Sequence, residues 1–233
     1  MDNQNRKKIS LKYIPLFLFA ILVVPFLPLI ISQHWRWWEA WVFFFLNVFS
    51  FAVSRALAAR RNPDILVERS RFMQLEDAKP WDKLLSPLVG IGSGLITLVA
   101  GLDELFNWSN ALHMSIKVIS LCLILVGYVL ASYALIENRY FSGMVRIQTD
   151  RGHRVVSAGP YRWIRHPGYA GSLLYFLATP IFLDSYWAFM PAVLLTIVLI
   201  IRTSLEDKTL QKELEGYQSY ASQVRFRLIP GIW

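Results

Sequence analysis

The chain has 233 residues, of which 55% are hydrophobic and only 17% charged, against roughly 25% charged in a water-soluble domain. That much apolar surface has no water-facing solution, which excludes a soluble globular enzyme. The net charge of +8 then belongs to basic loops beside a membrane rather than to nucleic-acid binding. A single cysteine, Cys122, excludes an intrachain disulfide and a Cys-based metal cluster, and its place inside an apolar run predicts a small buried hydrophobe.

In chain order, MDNQNRKKIS precedes an apolar run over about 12–31. The run is about 20 residues long and lacks a small-x-small cleavage site, so it reads as an uncleaved membrane helix. Further spans are expected at about 38–58, 85–105 and 116–136. Between the second and third, residues 62–85 mix apolar and charged side chains and suit either an interfacial segment or a solvated loop. Gly90 and Gly94 form GxxxG inside the third span, a pattern of close helix packing. The last two spans, about 169–184 and 187–203, are separated only around Asp184 and Ser185, which demands a tight helical hairpin. The fold class is therefore all-α, a polytopic membrane bundle of about six spans.

Of 24 Lys and Arg, only Arg36 and Lys117 fall on or beside the face carrying the short loops 32–37, 106–115 and 184–186. The positive-inside rule thus puts both termini, 59–84 and 137–168 in the cytoplasm. A bacterial inner membrane is the simplest location, and an endoplasmic reticulum satisfies the same pattern. Trp35, Trp37, Trp38, Trp41 and Trp108 would form an aromatic belt at the opposite interface, and His113 there reads as a loop residue.

Polar residues gather after position 137. The loop ending in GPYRWIRHPGYAG (159–171) and the segment RTSLEDKTL (202–210) flank the final hairpin on one side of the membrane. Arg202 and Glu206, four apart, share a helix face and suit an ion pair, or a snorkelling arginine at the bilayer edge. Arg165-His166-Pro167 suits a basic turn opening a helix. Together, turn residues with free backbone N–H groups, a His, several Tyr and a nearby carboxylate can hold a polar small molecule. The His residues at 34, 113, 153 and 166 have no metal-ligand spacing, and no GxSxG elbow supports hydrolysis.

The succession GPYRWIRHPGYAG, a helical hairpin, Arg202-x-x-x-Glu206-Asp207, then Gly216-Tyr217, Tyr220, Val224 and Ile229-Pro230 resembles the isoprenylcysteine carboxyl methyltransferase family. More distantly it resembles the phospholipid N-methyltransferases. The resemblance covers 138–233, and the four preceding spans (1–137) match only as hydrophobic segments. It implies S-adenosylmethionine as cofactor, bound without a Rossmann fold. By that resemblance Gln148, His153, Arg154, Val155 and Val156 contact and wrap the cofactor. Tyr161, His166, Pro167, Gly168 and Tyr169 form its main wall, Glu206 closes the site, and Arg202 stands beside a substrate carboxylate. Glu206-Asp207 replaces the Glu-Glu of many members, and extra N-terminal helices of the eukaryotic prenyl-protein enzymes have no clear counterpart. The acceptor implied is lipophilic and enters from the bilayer; an amine acceptor, or an NADPH-dependent reductase of the sterol-reductase type, are the competing readings.

Overall fold

The computed structural model describes residues 18–70 and 77–233. The opening of the first expected span, the N-terminal segment and part of 62–85 lie outside them. Among the described residues all regular structure is helical: α1 (Phe19–Ser32, starting with a π-helical turn), α2 (Trp38–Arg61), α3 (Asp64–Ser70), α4 (Asp82–Phe106), α5 (Met114–Glu137), α6 (Pro167–Phe182), α7 (Phe189–Glu213) and α8 (Tyr217–Gln223). Four of these, α2, α4, α5 and α7, are long and apolar enough to cross a membrane. The protein is a membrane helix bundle.

Local chemistry sets the helix ends. α2 carries Glu39 in its first turn and Arg60 and Arg61 in its last, each sign matching the helix dipole. It stops where Asn62 precedes Pro63, the residue before a proline being forced out of helical geometry. α4 ends on Asn107 in the left-handed conformation (φ 53°), which asparagine tolerates better than most residues. α5 begins at His113, whose ring accepts the Ser115 N–H at 3.3 Å, so His113 is a helix cap rather than a loop residue. Pro167 occupies the first turn of α6, where its missing N–H costs nothing.

Helices α5 and α6 share the most extensive contact of the bundle; α1 packs on α4, α4 on α7, and α6 on α7. The closeness of α5 and α6 rests on Gly127 and Gly171: a Cβ on Gly127 would stand 2.6 Å from the Gly171 carbonyl oxygen, and one on Gly171 2.4 Å from that of Gly127. The GxxxG expectation fails at its own residues. A Cβ on Gly90 would meet nothing within 4 Å, and one on Gly94 only Val24 at 3.8 Å, whereas Gly92, between them, packs on Leu195.

At the short-loop end, Lys117 is buried and paired with both Glu39 and Asp184. Asp103 accepts the hydroxyls of Ser109 at 2.7 Å and Ser185 at 2.5 Å, which ties the α6–α7 turn to α4. Two expectations are corrected here. Trp37 is only 4% exposed and belongs to the core rather than to an aromatic belt, while Trp35, Trp38, Trp108 and Trp187 are exposed. Cys122 is exposed on α5 rather than buried. Lipid-facing and core-facing positions are equally apolar in a membrane helix, so hydropathy does not separate them.

Candidate active site

The connector between α5 and α6 has only two short 3₁₀ turns, Thr149–Arg151 and Gly159–Arg162, yet it is fastened along its length. Gln148, 1% exposed, donates its side-chain N–H to the Tyr140 carbonyl at 2.6 Å and accepts from Arg151. Its backbone N–H donates to His153 Nδ1 at 3.3 Å, and the His153 ring lies 4.5 Å from that of Tyr140. Burial, and then the charges of Arg146 and Arg151, lower His153 to about 4; the ring is neutral at pH 7, with its proton on Nε2. Arg146 donates to Glu68 at 3.0 Å, Asp77 at 2.8 Å and Asp150 at 2.9 Å. Burial works against its charge, but these bonds outweigh it and hold the guanidinium above its ordinary value.

The second half of the connector is clasped to α7 and the tail. Asp207 is fully buried. It accepts two bonds from Arg165 at 2.8 and 3.0 Å, one each from Arg227 at 2.9 Å, Tyr217 at 3.0 Å and Gln211 at 2.8 Å, and lies 3.3 Å from His166 Nε2. The backbone N–H groups of Arg165 and His166 donate to the carbonyls of Phe226 and Arg227, each at 2.9 Å. Arg165 also donates to the Val224 and Arg225 carbonyls at 2.8 and 2.9 Å. Tyr220 reaches back to the Tyr161 carbonyl at 2.7 Å. Tyr161 receives a bond from Asn138 at 3.2 Å, and burial pushes its phenol well above the ordinary range.

One residue earlier on α7, Glu206 turns the other way and accepts the Tyr169 hydroxyl at 2.5 Å. Arg202 and Glu206 do not pair. Arg202 donates instead to Asp82 at 2.6 and 2.9 Å and to the Gly143 carbonyl at 2.9 Å, with its guanidinium 5.3 Å from the Tyr169 ring centre. Those bonds use Nε and Nη2; Nη1 has no acceptor among the described residues. Asp82 also accepts the Val145 N–H at 2.6 Å, so one fully buried carboxylate fixes both Arg202 and the connector.

These groups surround a cavity of about 340 Å³, within the range of small-molecule sites. Gln148, His153, Arg154, Val155, Val156, Tyr161, His166, Gly168, Tyr169, Arg202 and Glu206 all line it. Pro167 does not; it serves to open α6. Sequence reasoning missed Tyr140, Asn138 and Asp82 around this cavity, and the contribution of α2 and α3, which supply Phe51, Ser54, Arg55 and Arg69 to its wall. The one legible signal was the placing of Arg55, Arg69 and Asp82 at the same membrane edge as Arg202. Glu206 is the cavity's sole carboxylate among the described residues. An arrangement of aromatic rings, backbone turns, one carboxylate and several arginines suits a zwitterionic molecule of nucleoside size.

The sequence comparisons agree with this geometry. Residues 116–215 match the phospholipid methyltransferase family. That stretch holds nearly all of α5, the connector, α6 and α7, and so the part of the cavity wall around Tyr161, Tyr169 and Glu206. Among curated proteins, the chain is similar to a probable protein-S-isoprenylcysteine O-methyltransferase of Oryza sativa subsp. indica, 30% identical over 29% of this chain and 36% of that protein. It is also similar to protein-S-isoprenylcysteine O-methyltransferase A of Arabidopsis thaliana, 32% identical over 38% of this chain and 46% of that protein. The lamin-B receptor of Drosophila melanogaster matches at 28% over 42% of this chain and 14% of its own length. The resemblance drawn from the motifs holds, while the chain spans less than half the length of each of these relatives.

Proposed function

We propose that the protein is an integral membrane methyltransferase that moves a methyl group from S-adenosylmethionine to a carboxylate on a lipid-like or isoprenoid-bearing small substrate. The observation that carries this reading is the single cavity into which the connector, the first turn of α6 and the C-terminal half of α7 send eleven of the twelve residues singled out by the motifs. The cofactor supplies an electrophilic methyl on a sulfonium. Held among Gln148, His153–Val156, Tyr161 and Tyr169, it would offer that methyl to an acceptor oxygen, the C–S electrons returning to sulfur.

The protein's part is orientation and exclusion of water. Gln148 and His153–Val156 wrap the nucleoside end, with Tyr161 and Tyr169 as its aromatic walls. Glu206, oriented by Tyr169, balances the positive charge. A carboxylate acceptor is ionised at pH 7 and needs no base. Arg202, pinned by Asp82 with Nη1 unspent, supplies a fixed donor for it. The pattern of basic residues assigns the connector and the C-terminal tail to the cytoplasmic side, where the cofactor is.

The family match favours one alternative acceptor, a phospholipid amine. Such a nucleophile must lose a proton, and Glu206 is the carboxylate placed to take it. Incubating membranes that overexpress the protein with methyl-labelled S-adenosylmethionine, then identifying the labelled lipid by mass spectrometry, separates ester from amine. Purified protein that binds NADPH but not labelled S-adenosylmethionine would overturn the methyltransferase reading in favour of a reductase.

A further inference from the structure

Six arginines line the cavity: Arg55, Arg69, Arg146, Arg154, Arg165 and Arg202. Three are neutralised, Arg146 by Glu68, Asp77 and Asp150, Arg165 by Asp207, and Arg202 by Asp82, and Arg154 is exposed to solvent. Arg55 and Arg69 are different. Both are half-buried, and neither has a salt-bridge partner among the described residues. Arg55 rests against the Phe51 ring at 4.7 Å. Arg69 rests against Phe141 at 5.5 Å and makes one long bond, 3.4 Å, to the Ser142 carbonyl. They are near enough for the charge of Arg69 to act on Arg55, and that of Arg202 on Arg69. Like charges gathered without counter-charge in a half-buried wall are costly, and a bound anion relieves that cost.

Where this pair stands indicates which anion. Arg55 also lines a second cavity, of about 390 Å³, that runs among α1, α2, α4, α5 and α6 and shares Val89, Tyr128, Ala131 and Ser172 with the first. Its walls join Val24, Pro25 and Phe176 to the polar Asn47, Thr97 and Tyr175, and it reaches exposed positions at Ala20 and Gly90 on the bundle's apolar flank. The two spaces meet at Arg55, away from Gln148 and Tyr161, which line only the first. A molecule with its apolar chain in the second cavity would present its head to Arg55 and Arg69.

We propose that Arg55 and Arg69 form an anion clamp, supplied by the helices that precede the family-matched segment, which selects a single-headed anionic amphiphile as the acceptor. The group bound is a carboxylate or a phosphate monoester. This rests on the methyltransferase reading for the word acceptor, but the clamp itself is testable without turnover.

The test is equilibrium binding to the full chain in detergent. Oleate, oleyl phosphate and their uncharged counterpart, methyl oleate, are the probes, with labelled S-adenosylmethionine measured in parallel. At least one anion should bind about 10-fold or more tightly than methyl oleate, the worth of one charge-assisted hydrogen bond; which anion wins names the head group. Arg55→Gln and Arg69→Gln should each erase that preference, and the loss of anion binding should exceed any change in S-adenosylmethionine binding. Their melting temperatures should equal or exceed the parent's, because an uncompensated charge is removed, whereas a structural arginine would lower them. Arg55→Lys, which keeps the charge, should retain part of the preference. Equal binding of oleate, oleyl phosphate and methyl oleate to the parent would overturn the clamp, as would glutamine variants that keep the preference. Loss of S-adenosylmethionine binding instead of oleate binding would also overturn it, by assigning the pair to the cofactor's carboxylate. An intact clamp in a protein that binds no S-adenosylmethionine would uphold the site and sink the methyltransferase reading alone.

Discussion

Glu206 faces the cavity and takes the Tyr169 hydroxyl, whereas Asp207 is turned toward the tail and takes Arg165, Arg227 and Tyr217. The motif reads as a doubled carboxylate, but successive helix positions differ by about 100° in direction, so the two have separate work. Glu206→Gln should weaken S-adenosylmethionine binding by about 10-fold or more, since a charge-assisted contact is lost, with no change in melting temperature; titration calorimetry in detergent measures the first and a thermal melt the second. Asp82→Asn should do the opposite. It leaves Arg202 buried and uncompensated, a change that typically costs about 3–5 kcal/mol, so the melt should fall sharply. His153 sets a pH signature. Its folded-state value of about 4 lies below the roughly 6.5 of an unfolded histidine, so the unfolded chain binds the proton more readily. Its contribution to stability is full above about pH 6.5 and is lost as pH falls toward about 4. The melting-temperature difference between the parent and His153→Gln should therefore narrow over that window, and cofactor binding should stay flat from pH 8 down to about 6.

Four of the six expected spans, α2, α4, α5 and α7, were legible because a lipid-spanning helix must be long and apolar and must meet its own backbone hydrogen bonds. Which face of each helix turns inward was not legible. Gly90 and Gly94 have the spacing of a packing motif and touch almost nothing, while Gly127 and Gly171, in different helices, bring two backbones together. Small residues reveal a contact only when both partners are known. Gly171→Val should splay α5 from α6 at a cost of about 1–3 kcal/mol or more, with loss of cofactor binding because Gly168 and Tyr169 ride on the same helix. Gly90→Ala should be tolerated or stabilising by up to about 1 kcal/mol, as for an open position in a helix. Paired thermal melts of the two variants check this. The connector's contents were legible from their motifs, since turn residues, tyrosines and a histidine have no reason to concentrate in a membrane loop. Their partners were not: nothing in the spacing ties Asp82 to Arg202, 120 residues apart.

For the whole molecule, the cavity is a joint product of distant parts of the chain. The family-matched segment supplies the wall around Tyr161, Tyr169 and Glu206, α4 supplies Asp82, and α2 and α3 supply the arginines at the far side. A protein shortened to the matched segment would keep the motifs and lose both the anchor of Arg202 and the junction with the second cavity. Expressed as 114–233, it should fail to bind S-adenosylmethionine in the assay that detects binding by the full chain. Co-expression of 1–113 as a separate chain should restore part of the signal, because the contacts between the two parts are side-chain packing and ion pairs that need no covalent link.

The bonds from Arg165 and His166 to the carbonyls of residues 224–227 carry a consequence for biosynthesis. Those carbonyls lie beyond the last apolar helix, α7, in chain order. A chain that stops before residue 224 would keep every apolar helix and leave the Arg165 and His166 N–H groups without these acceptors, so the turn that opens α6 is completed only once the tail has been made.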